Sequence, residues 1–286
     1  MNDKPSVKVN GCHISEITDS EGIRVVELGN SLVRMGVVPD EGGRVAHITS
    51  LKSGRNHLSP VMAGIEDVAG ELGRSESYPG AFATLAYQCR SSKTGQGMAV
   101  TVSASKGWLK LERTMRMDGG IPRIGFHVVY ENTGRSPLPF KARIHPKFNV
   151  GGGRADEDKV YIPGKDGVFS VGDRKRSEDD IYDPSGGWML AFNPRTRESV
   201  AAIHRPSQMD QLYPWGVKTG KYSYNLEYFG KEKTVAPGER CEMDFEYWVI
   251  ADREDLDALE KFEDQLESGQ KKALLGFIAK ISGNPV

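Results

Sequence analysis

The segment Ile124-Gly125-Phe126-His127-Val128-Val129-Tyr130 decides the fold class, because its apolar side chains occupy every second position. In a β-strand, alternate side chains point to opposite faces, so this pattern predicts one buried face and one exposed face. The same period recurs in Met243-Asp244-Phe245-Glu246-Tyr247-Trp248-Val249, and again around Met35 and Leu111. Such alternation is typical of antiparallel sheets that are covered on one side.

Short turn signals separate these predicted strands. Glycine or proline punctuates the chain at residues 39–43, 118–120, 132–134 and 236–238. No regular alternation of strand and helix patterns accompanies them, which disfavours a doubly wound parallel sheet. The sequence therefore predicts an all-β fold, built as a sandwich or a barrel. The charged stretch from Gly151 to Gly187 predicts a long surface loop.

Helical spacing is confined to the C-terminal part of the chain. Between Asp252 and Ile281, apolar residues recur at intervals of three or four, and acidic residues occupy the first turn. We expect two helices divided near Gly269. They would seal one edge of a sheet, or alternatively present a partner-binding or dimerisation surface. With no repeat or linker in the sequence, residues 1–286 are predicted to form one domain that includes this helical segment at about 252–281.

Composition narrows the function classes. The 286 residues include 38 basic and 39 acidic side chains, so the chain lacks the basic surplus of proteins that bind nucleic acid or anionic membranes. No apolar run approaches the roughly 20 residues that span a bilayer, and no secretory signal follows Met1, so a cytoplasmic setting is expected. Cys12, Cys89 and Cys241 are widely spaced, with no CxxC or Cys/His cluster. Neither a zinc site nor a disulfide framework is therefore predicted.

A first group of candidate site residues lies in Arg143-Ile144-His145-Pro146-Lys147-Phe148-Asn149-Val150-Gly151-Gly152. Arg143 and His145 are two positions apart, so on a strand they share one face. Asn149 adds an amide, and the glycines after it let the backbone approach a ligand closely. Histidine is a common acid or base near neutral pH. A histidine on a strand can equally serve as a structural hydrogen-bonding group.

A second group surrounds Asn225 and Glu227, which are predicted to share one strand face. Asp210, Tyr213 and Trp215 come shortly before them and add a carboxylate and two large aromatic rings. Sugars are amphipathic, so their binding sites combine an aromatic platform with polar groups. Simple solvent exposure of the face, and core filling by the rings, are the alternative explanations for the same residues.

Three segments, in this order, resemble the galactose mutarotase-like superfamily, the aldose 1-epimerases and their relatives. They are Val37–Ile48, His145–Gly152, and Leu226–Glu227 followed by the Pro-Gly turn of Val235–Glu239. The resemblance implies a large antiparallel β-supersandwich that binds a small-molecule carbohydrate.

The resemblance also implies roles for single residues. By analogy, Glu227 would accept the proton of the C1 hydroxyl and His145 would protonate the ring oxygen, so that the sugar ring opens and closes on its other face. Both steps are proton transfers, so neither a metal nor an organic cofactor is implied. Substrate contacts are expected from Arg143, Asn149, Asn225, Asp210, Trp215, Tyr213 and Arg74.

The chain departs from the aldose 1-epimerase pattern in its recognition residues. Gly80-Ala81-Phe82-Ala83-Thr84 stands where an arginine–asparagine segment would be expected, and no histidine occurs between His57 and His127. Three functions therefore stay open: an aldose 1-epimerase-like isomerase acting on a free sugar or sugar derivative, a non-catalytic carbohydrate-binding protein, and a domain related to polysaccharide lyases or hydrolases. For the isomerase, we expect His145 and Glu227 to face one cavity about a sugar ring apart.

Overall fold

The computed structural model describes residues 7–19, 21–59, 64–67, 70–71, 80, 82–171, 182–217, 221–262 and 266–283. Antiparallel strands dominate these residues, and the segments around Met35, Leu111 and Phe126 are all strands, as their alternation predicted. The described strands form two nine-stranded sheets and one three-stranded sheet.

The first sheet carries the predicted site segments. Its strands are β1 (Val7–Val9), β2 (Cys12–Thr18), β3 (Arg24–Gly29), β4 (Val33–Val38), β5 (Arg44–Ser50), β6 (Ile65–Asp67), β13 (Arg143–Phe148), β18 (Met209–Trp215) and β19 (Tyr224–Gly230). They are hydrogen-bonded in the order β1-β2-β3-β4-β5-β6-β13-β19-β18. This order places β13 between β6 and β19, so strands that are distant in the chain become neighbours.

The second sheet packs against the first. Its strands are β8 (Gln88–Lys93), β9 (Gly97–Lys106), β10 (Leu109–Asp118), β11 (Arg123–Asn132), β14 (Lys159–Gly164), β15 (Gly167–Ser170), β16 (Trp188–Phe192), β17 (Ser199–His204) and β21 (Arg240–Ile250). Their order is β15-β14-β16-β17-β21-β11-β10-β9-β8. A small third sheet joins β7 (Gly70–Glu71), β12 (Leu138–Lys141) and β20 (Lys233–Val235), and two helices follow, α1 (Arg253–Lys261) and α2 (Ser268–Ser282).

The main hydrophobic core lies between the two large sheets. Ile144 and Phe148 enter it from β13, and Phe126 and Tyr247 enter it from the second sheet. Phe148 packs edge-on against Tyr247 with ring centroids 5.2 Å apart, and Phe126 meets the same ring at 5.4 Å. The fold is therefore an all-β sandwich, one of the two architectures that the alternation predicted.

The C-terminal helices cover the outer face of the second sheet. Trp188 and Trp248 point away from the main core and pack with Leu259 and Ile278 of the helices. The strands beneath them are β16, β17 and β21 inside the sheet, together with β14 and β15 at its edge. Tyr161 of β14 and Val168 of β15 pack against the same helical cluster, so the covered face includes the sheet edge where the helices were expected. The helices are divided as expected, but Gly269 lies within α2 and not between them. Within the described residues, neither helix is long and apolar enough to cross a membrane.

Part of the stretch that was predicted as a surface loop is sheet. Strands β14 and β15 lie within residues 151–187 and form one edge of the second sheet. Val160 and Ile162 alternate into the core, but the charged residues around them hide so short a pattern. Residues 172–181 of the same stretch lie outside the described residues.

Candidate functional site

The candidate site lies on the face of the first sheet that points away from the core. On β13, Ile144 and Phe148 are core residues. Arg143, His145 and Lys147 alternate with them and therefore take the opposite face. The shared face that the sequence predicted for Arg143 and His145 is present.

Strand β19 contributes to the same face. Leu226 and Tyr228 enter the core, which leaves Asn225 and Glu227 on the outer side. All four residues are buried. A buried carboxylate and amide need partners within the protein, and the neighbouring strands supply them.

Strand register places four side chains in one row. Glu66 on β6 is the partner of His145, and Tyr213 on β18 is the partner of Glu227. The register between β13 and β19 in turn sets His145 opposite Glu227. This set of Glu66, His145, Glu227 and Tyr213, the site row, crosses four neighbouring strands.

Glu227 is enclosed by protein groups. Its Oε2 accepts a hydrogen bond from Arg143 Nε at 2.5 Å, and its Oε1 accepts one from Asn225 Nδ2 at 3.0 Å. His145 Nε2 lies 3.3 Å from the same Oε1. With 1% of its side chain exposed, Glu227 depends on these contacts and not on water.

His145 lies between two carboxylates. Its Nδ1 is 3.6 Å from Glu66 Oε2, which is also 3.3 Å from Lys147 Nζ. On the other side of the ring, Nε2 is 3.0 Å from Asn225 Nδ2 and close to Glu227. Arg143 and Lys147 of β13 thus pair with Glu227 and Glu66, respectively, and the His145 ring lies between these two ion pairs.

The expected separation of the acid and the base is wrong. His145 and Glu227 share one face of the sheet, but they are in contact instead of a sugar ring apart. Directly opposed residues on neighbouring antiparallel strands have Cβ atoms about 4.5–5.5 Å apart, which lets two long side chains meet.

An aromatic surface borders the site row. Trp215 is the register partner of Asn225, and 47% of Trp215 is exposed. Tyr213 is half-buried and meets Phe229 edge-on, with ring centroids 6.2 Å apart. The Arg143 guanidinium lies 5.1 Å from the centroid of the same Phe229 ring. The exposed ring of Trp215 can pack against the C–H face of a pyranose.

The remaining sequence candidates lie outside the site row. Asn149 Nδ2 donates to two backbone carbonyls, one after β13 and one just before β19, so its amide nitrogen joins two loops. Asp210 is exposed and pairs with Lys141 at 3.0 Å, next to an irregularity in β18. Arg74 lies outside the described residues.

Two buried acids hold the site strands in place. Asp158 accepts hydrogen bonds from a backbone N–H just after β13 at 2.7 Å and from the Tyr224 hydroxyl at 3.0 Å, which ties β13 to β19. Burial raises the pKa of Asp158, and its hydrogen bonds oppose that rise. Asp67, which follows Glu66, pairs with Arg113 of the second sheet at 2.5 Å. Burial raises the pKa of Asp67 as well, and the nearby Arg113 charge opposes it.

Comparison with known proteins identifies the architecture. No protein-family model matches this sequence, and no curated protein sequence matches it. A galactose mutarotase-like protein from Clostridium acetobutylicum superposes with a TM-score of 0.63 at 12% identity, over 84% of this chain and 98% of that one. A GalM/aldose epimerase homologue from C. elegans gives a TM-score of 0.57 at 9% identity, over 78% and 97% of the two chains. The chain has the galactose mutarotase-like fold.

The same fold forms part of a larger protein. A TPR-domain containing protein from Parabacteroides distasonis superposes on 86% of this chain, with a TM-score of 0.60 at 14% identity. This chain spans 50% of the length of that protein. The galactose mutarotase-like fold thus occurs beside other domains, and the fold alone does not specify an activity.

Sequence reasoning missed Glu66, Lys147 and Phe229 of this candidate site. Lys147 continues the alternation of Arg143 and His145, so the period of two could have found it. Glu66 lies in a strand of three residues, which is too short to show a period. Phe229 follows Glu227 by two positions, and the same alternation applies to it.

The site row offers proton chemistry. No group of three or more His, Cys, Asp or Glu side chains among the described residues is arranged to hold a metal ion. A carboxylate in contact with an imidazole, as in Glu227 and His145, can take one proton from a bound molecule and give another to it. The surrounding cations and the Asn225 amide fix the orientation of both groups.

Proposed function

We propose that the chain binds a free sugar or sugar derivative at the site row and interconverts its anomers by acid/base ring opening. The observation that carries the proposal is the 3.3 Å contact between His145 Nε2 and Glu227 Oε1. The exposed ring of Trp215 beside Asn225 supports a carbohydrate ligand, because sugars pair an apolar face with polar edges. Fold-level analogy with a galactose mutarotase-like protein adds to this support.

The short distance between acid and base suits this reaction. Ring opening removes a proton from the C1 hydroxyl and delivers one to the ring oxygen O5. Both oxygens are bonded to C1, so two adjacent protein groups can reach them from the same side. A bound sugar would take the place of the direct contact between His145 and Glu227.

Each proton has a defined destination in the proposed reaction. Ionised Glu227 accepts the proton of the C1 hydroxyl, while protonated His145 donates its Nε2 proton to O5. The C1–O5 bond breaks as the C1 carbonyl forms, so no oxidant or reductant takes part. After rotation about the C1–C2 bond, O5 adds to the other face of the carbonyl and returns its proton to His145. Glu227 gives its proton to the former carbonyl oxygen, which becomes the new C1 hydroxyl, and both side chains regain their starting forms.

Neighbouring residues orient the pair and the sugar. The hydrogen bond from Arg143 holds one carboxylate oxygen of Glu227, which leaves the oxygen nearer to His145 for the sugar. Trp215 would support the apolar face of the ring, and Tyr213 continues this surface along the site row.

A sugar-binding protein without catalysis is the second candidate, and one observation favours it. Glu227 already accepts hydrogen bonds from Arg143 and Asn225 and is almost fully buried. A sugar hydroxyl must then reach a carboxylate oxygen that already accepts a hydrogen bond from Asn225 and is in contact with His145. A site that keeps these contacts would bind a sugar at its aromatic rim without opening the ring.

Polarimetry on freshly dissolved anomers of several aldoses and uronic acids separates the two functions. An isomerase speeds anomer equilibration, and Glu227→Gln and His145→Asn should each lower the rate by about 10²–10⁴-fold, the usual effect of one acid/base group. Glu27→Gln is the matched control, because Glu27 lies on β3 of the same sheet and pairs with His47 Nε2 at 3.4 Å. If no sugar that binds equilibrates faster than it does alone, the isomerase proposal fails.

A further inference from the structure

We infer that Glu66 is a positioning residue that fixes which nitrogen of His145 carries the proton; its catalytic meaning rests on the proposed function. Glu66 is the register partner of His145 on β6, and its Oε2 lies 3.6 Å from His145 Nδ1, an ion-pair contact that is longer than a hydrogen bond. The two side chains are 6% and 7% exposed, so water does not compete for this contact. Neither the sequence patterns nor the family resemblance pointed to Glu66.

The opposite side of the His145 ring shows where the proton lies in the neutral form. Asn225 Nδ2 is 3.0 Å from Glu227 Oε1 and also 3.0 Å from His145 Nε2. An ionised carboxylate only accepts hydrogen bonds, so the amide nitrogen of Asn225 and not its oxygen must face Glu227. The same NH₂ group then donates to Nε2, and the proton of the neutral ring is left on Nδ1, where it points toward Glu66.

Glu66 is held in place from both sides of β6. Its chain neighbour Asp67 forms a fully buried ion pair with Arg113 of β10, and Arg113 also donates to the Gly43 carbonyl. On the site face, Lys147 Nζ lies 3.3 Å from Glu66 Oε2. A carboxylate supported in this way on a strand keeps its geometry toward a neighbouring ring.

The mobile proton of the proposed reaction moves only through Nε2. Nδ1–H stays directed at Glu66 in both the neutral and the charged ring, so Glu66 neither gains nor loses a proton. In the described part of the chain, the charged groups that face the ring are Glu66 from β6, Glu227 from β19, and Arg143 and Lys147 from β13 itself. Asn225 favours the Nδ1–H form from the other side of the ring, but Nε2 also lies 3.3 Å from Glu227 Oε1. Without Glu66, the neutral ring can therefore carry its proton on Nε2 and direct it at Glu227, and that nitrogen then has no lone pair with which to take the proton back from O5.

Nitrogen-15 NMR of the His145 ring in the full-length protein tests the inference without any sugar. The His145→Asn spectrum identifies the resonances. In spectra recorded at a pH where the ring is neutral, wild type should carry the proton on Nδ1, and Glu66→Gln should keep this form, because its amide oxygen can still face the Nδ1–H. Glu66→Leu removes the acceptor and should give a mixture of both tautomers. Glu27→Gln is the matched control and should leave the His145 resonances unchanged.

Two NMR outcomes would overturn the inference. One is a neutral wild-type ring protonated on Nε2 instead of Nδ1, a measurement that needs no variant to fold. The other is a Glu66→Leu spectrum identical to wild type, which would assign control of the tautomer to Asn225 alone.

Mutarotation rates separate this inference from the proposed function. Glu66→Leu should lower the mutarotation rate, and the loss should not exceed the roughly 10²–10⁴-fold loss expected for His145→Asn. Glu66→Gln should keep most of the wild-type rate. If wild type does not speed equilibration of any sugar, the proposed function fails while the NMR result still decides the tautomer. If wild type is active and Glu66→Leu is equally fast, Glu66 has no positioning role.

Discussion

Glu227→Gln should destabilise the protein as well as slow any sugar chemistry, because Glu227 is one half of a buried ion pair. Arg143 Nε donates to Glu227 Oε2 at 2.5 Å, and the two side chains are 13% and 1% exposed. Removing one partner of a buried pair typically costs about 3–5 kcal/mol. Arg143 keeps some access to water, so we expect a loss of about 2–3 kcal/mol in the free energy of unfolding. The glutamine amide adds to this loss, since its NH₂ group must face a donor on either Arg143 or Asn225.

Urea unfolding followed by tryptophan fluorescence measures this loss. A double-mutant cycle with Arg143→Met isolates the pair, because Glu227 and Arg143 can be removed separately and together. The double variant should lose about 1–3 kcal/mol less than the sum of the single variants. Full stability of Glu227→Gln, or losses that add within about 0.5 kcal/mol, would show that the ion pair does not hold β13 to β19 and would refute this reasoning.

Three further predictions concern the core and the aromatic rim. Burial lowers the pKa of His204 to about 4, below the roughly 6.5 of an exposed histidine, so the unfolded chain takes up that proton first as the pH falls. The free energy of unfolding should therefore drop by about 2 kcal/mol between pH 7 and pH 5 through this group, and His204→Gln should remove that part of the pH dependence in urea titrations at several pH values. Arg113→Met leaves Asp67 buried without its cation and should cost about 3–5 kcal/mol. Arg113→Met combined with Asp67→Leu should recover most of this loss, and equal instability of the single and double variants would contradict the explanation. Sugars that bind should quench tryptophan fluorescence, and Trp215→Ala should abolish the quenching because Trp215 is exposed beside the site; quenching that survives this change would place the sugar elsewhere.

Local patterns predicted the strands well where they were long and clean. The alternation of Ile124 to Tyr130 and of Met243 to Val249 corresponds to β11 and β21, which are paired in the middle of the second sheet. The pattern failed where it was short or masked by charge, as at Val160 and Ile162 of β14. The apolar spacing also did not show which surface the two C-terminal helices cover. An apolar stripe on a helix requires that one face be buried, but it does not specify the surface that buries it.

Local patterns likewise predicted only part of the candidate site. A period of two sets Arg143 and His145 on one face, and Asn225 and Glu227 on another, wherever their strands lie. Which strands become neighbours depends on the packing of the whole core, and register then decides which residues meet. The contact of His145 with Glu227 therefore required the tertiary structure, since no local signal encodes the pairing of β13 with β19.

The sequence by itself determined that this chain would form an antiparallel all-β fold, a sandwich or a barrel, with polar and potentially catalytic side chains sharing one face on each of two strands. Only the tertiary structure decided that Glu66, from a three-residue strand, lies beside His145, and that the acid and the base lie in contact. The physical reason is that side-chain direction is a local property of the backbone. Distances between side chains on different strands are set by long-range pairing and by the core beneath them.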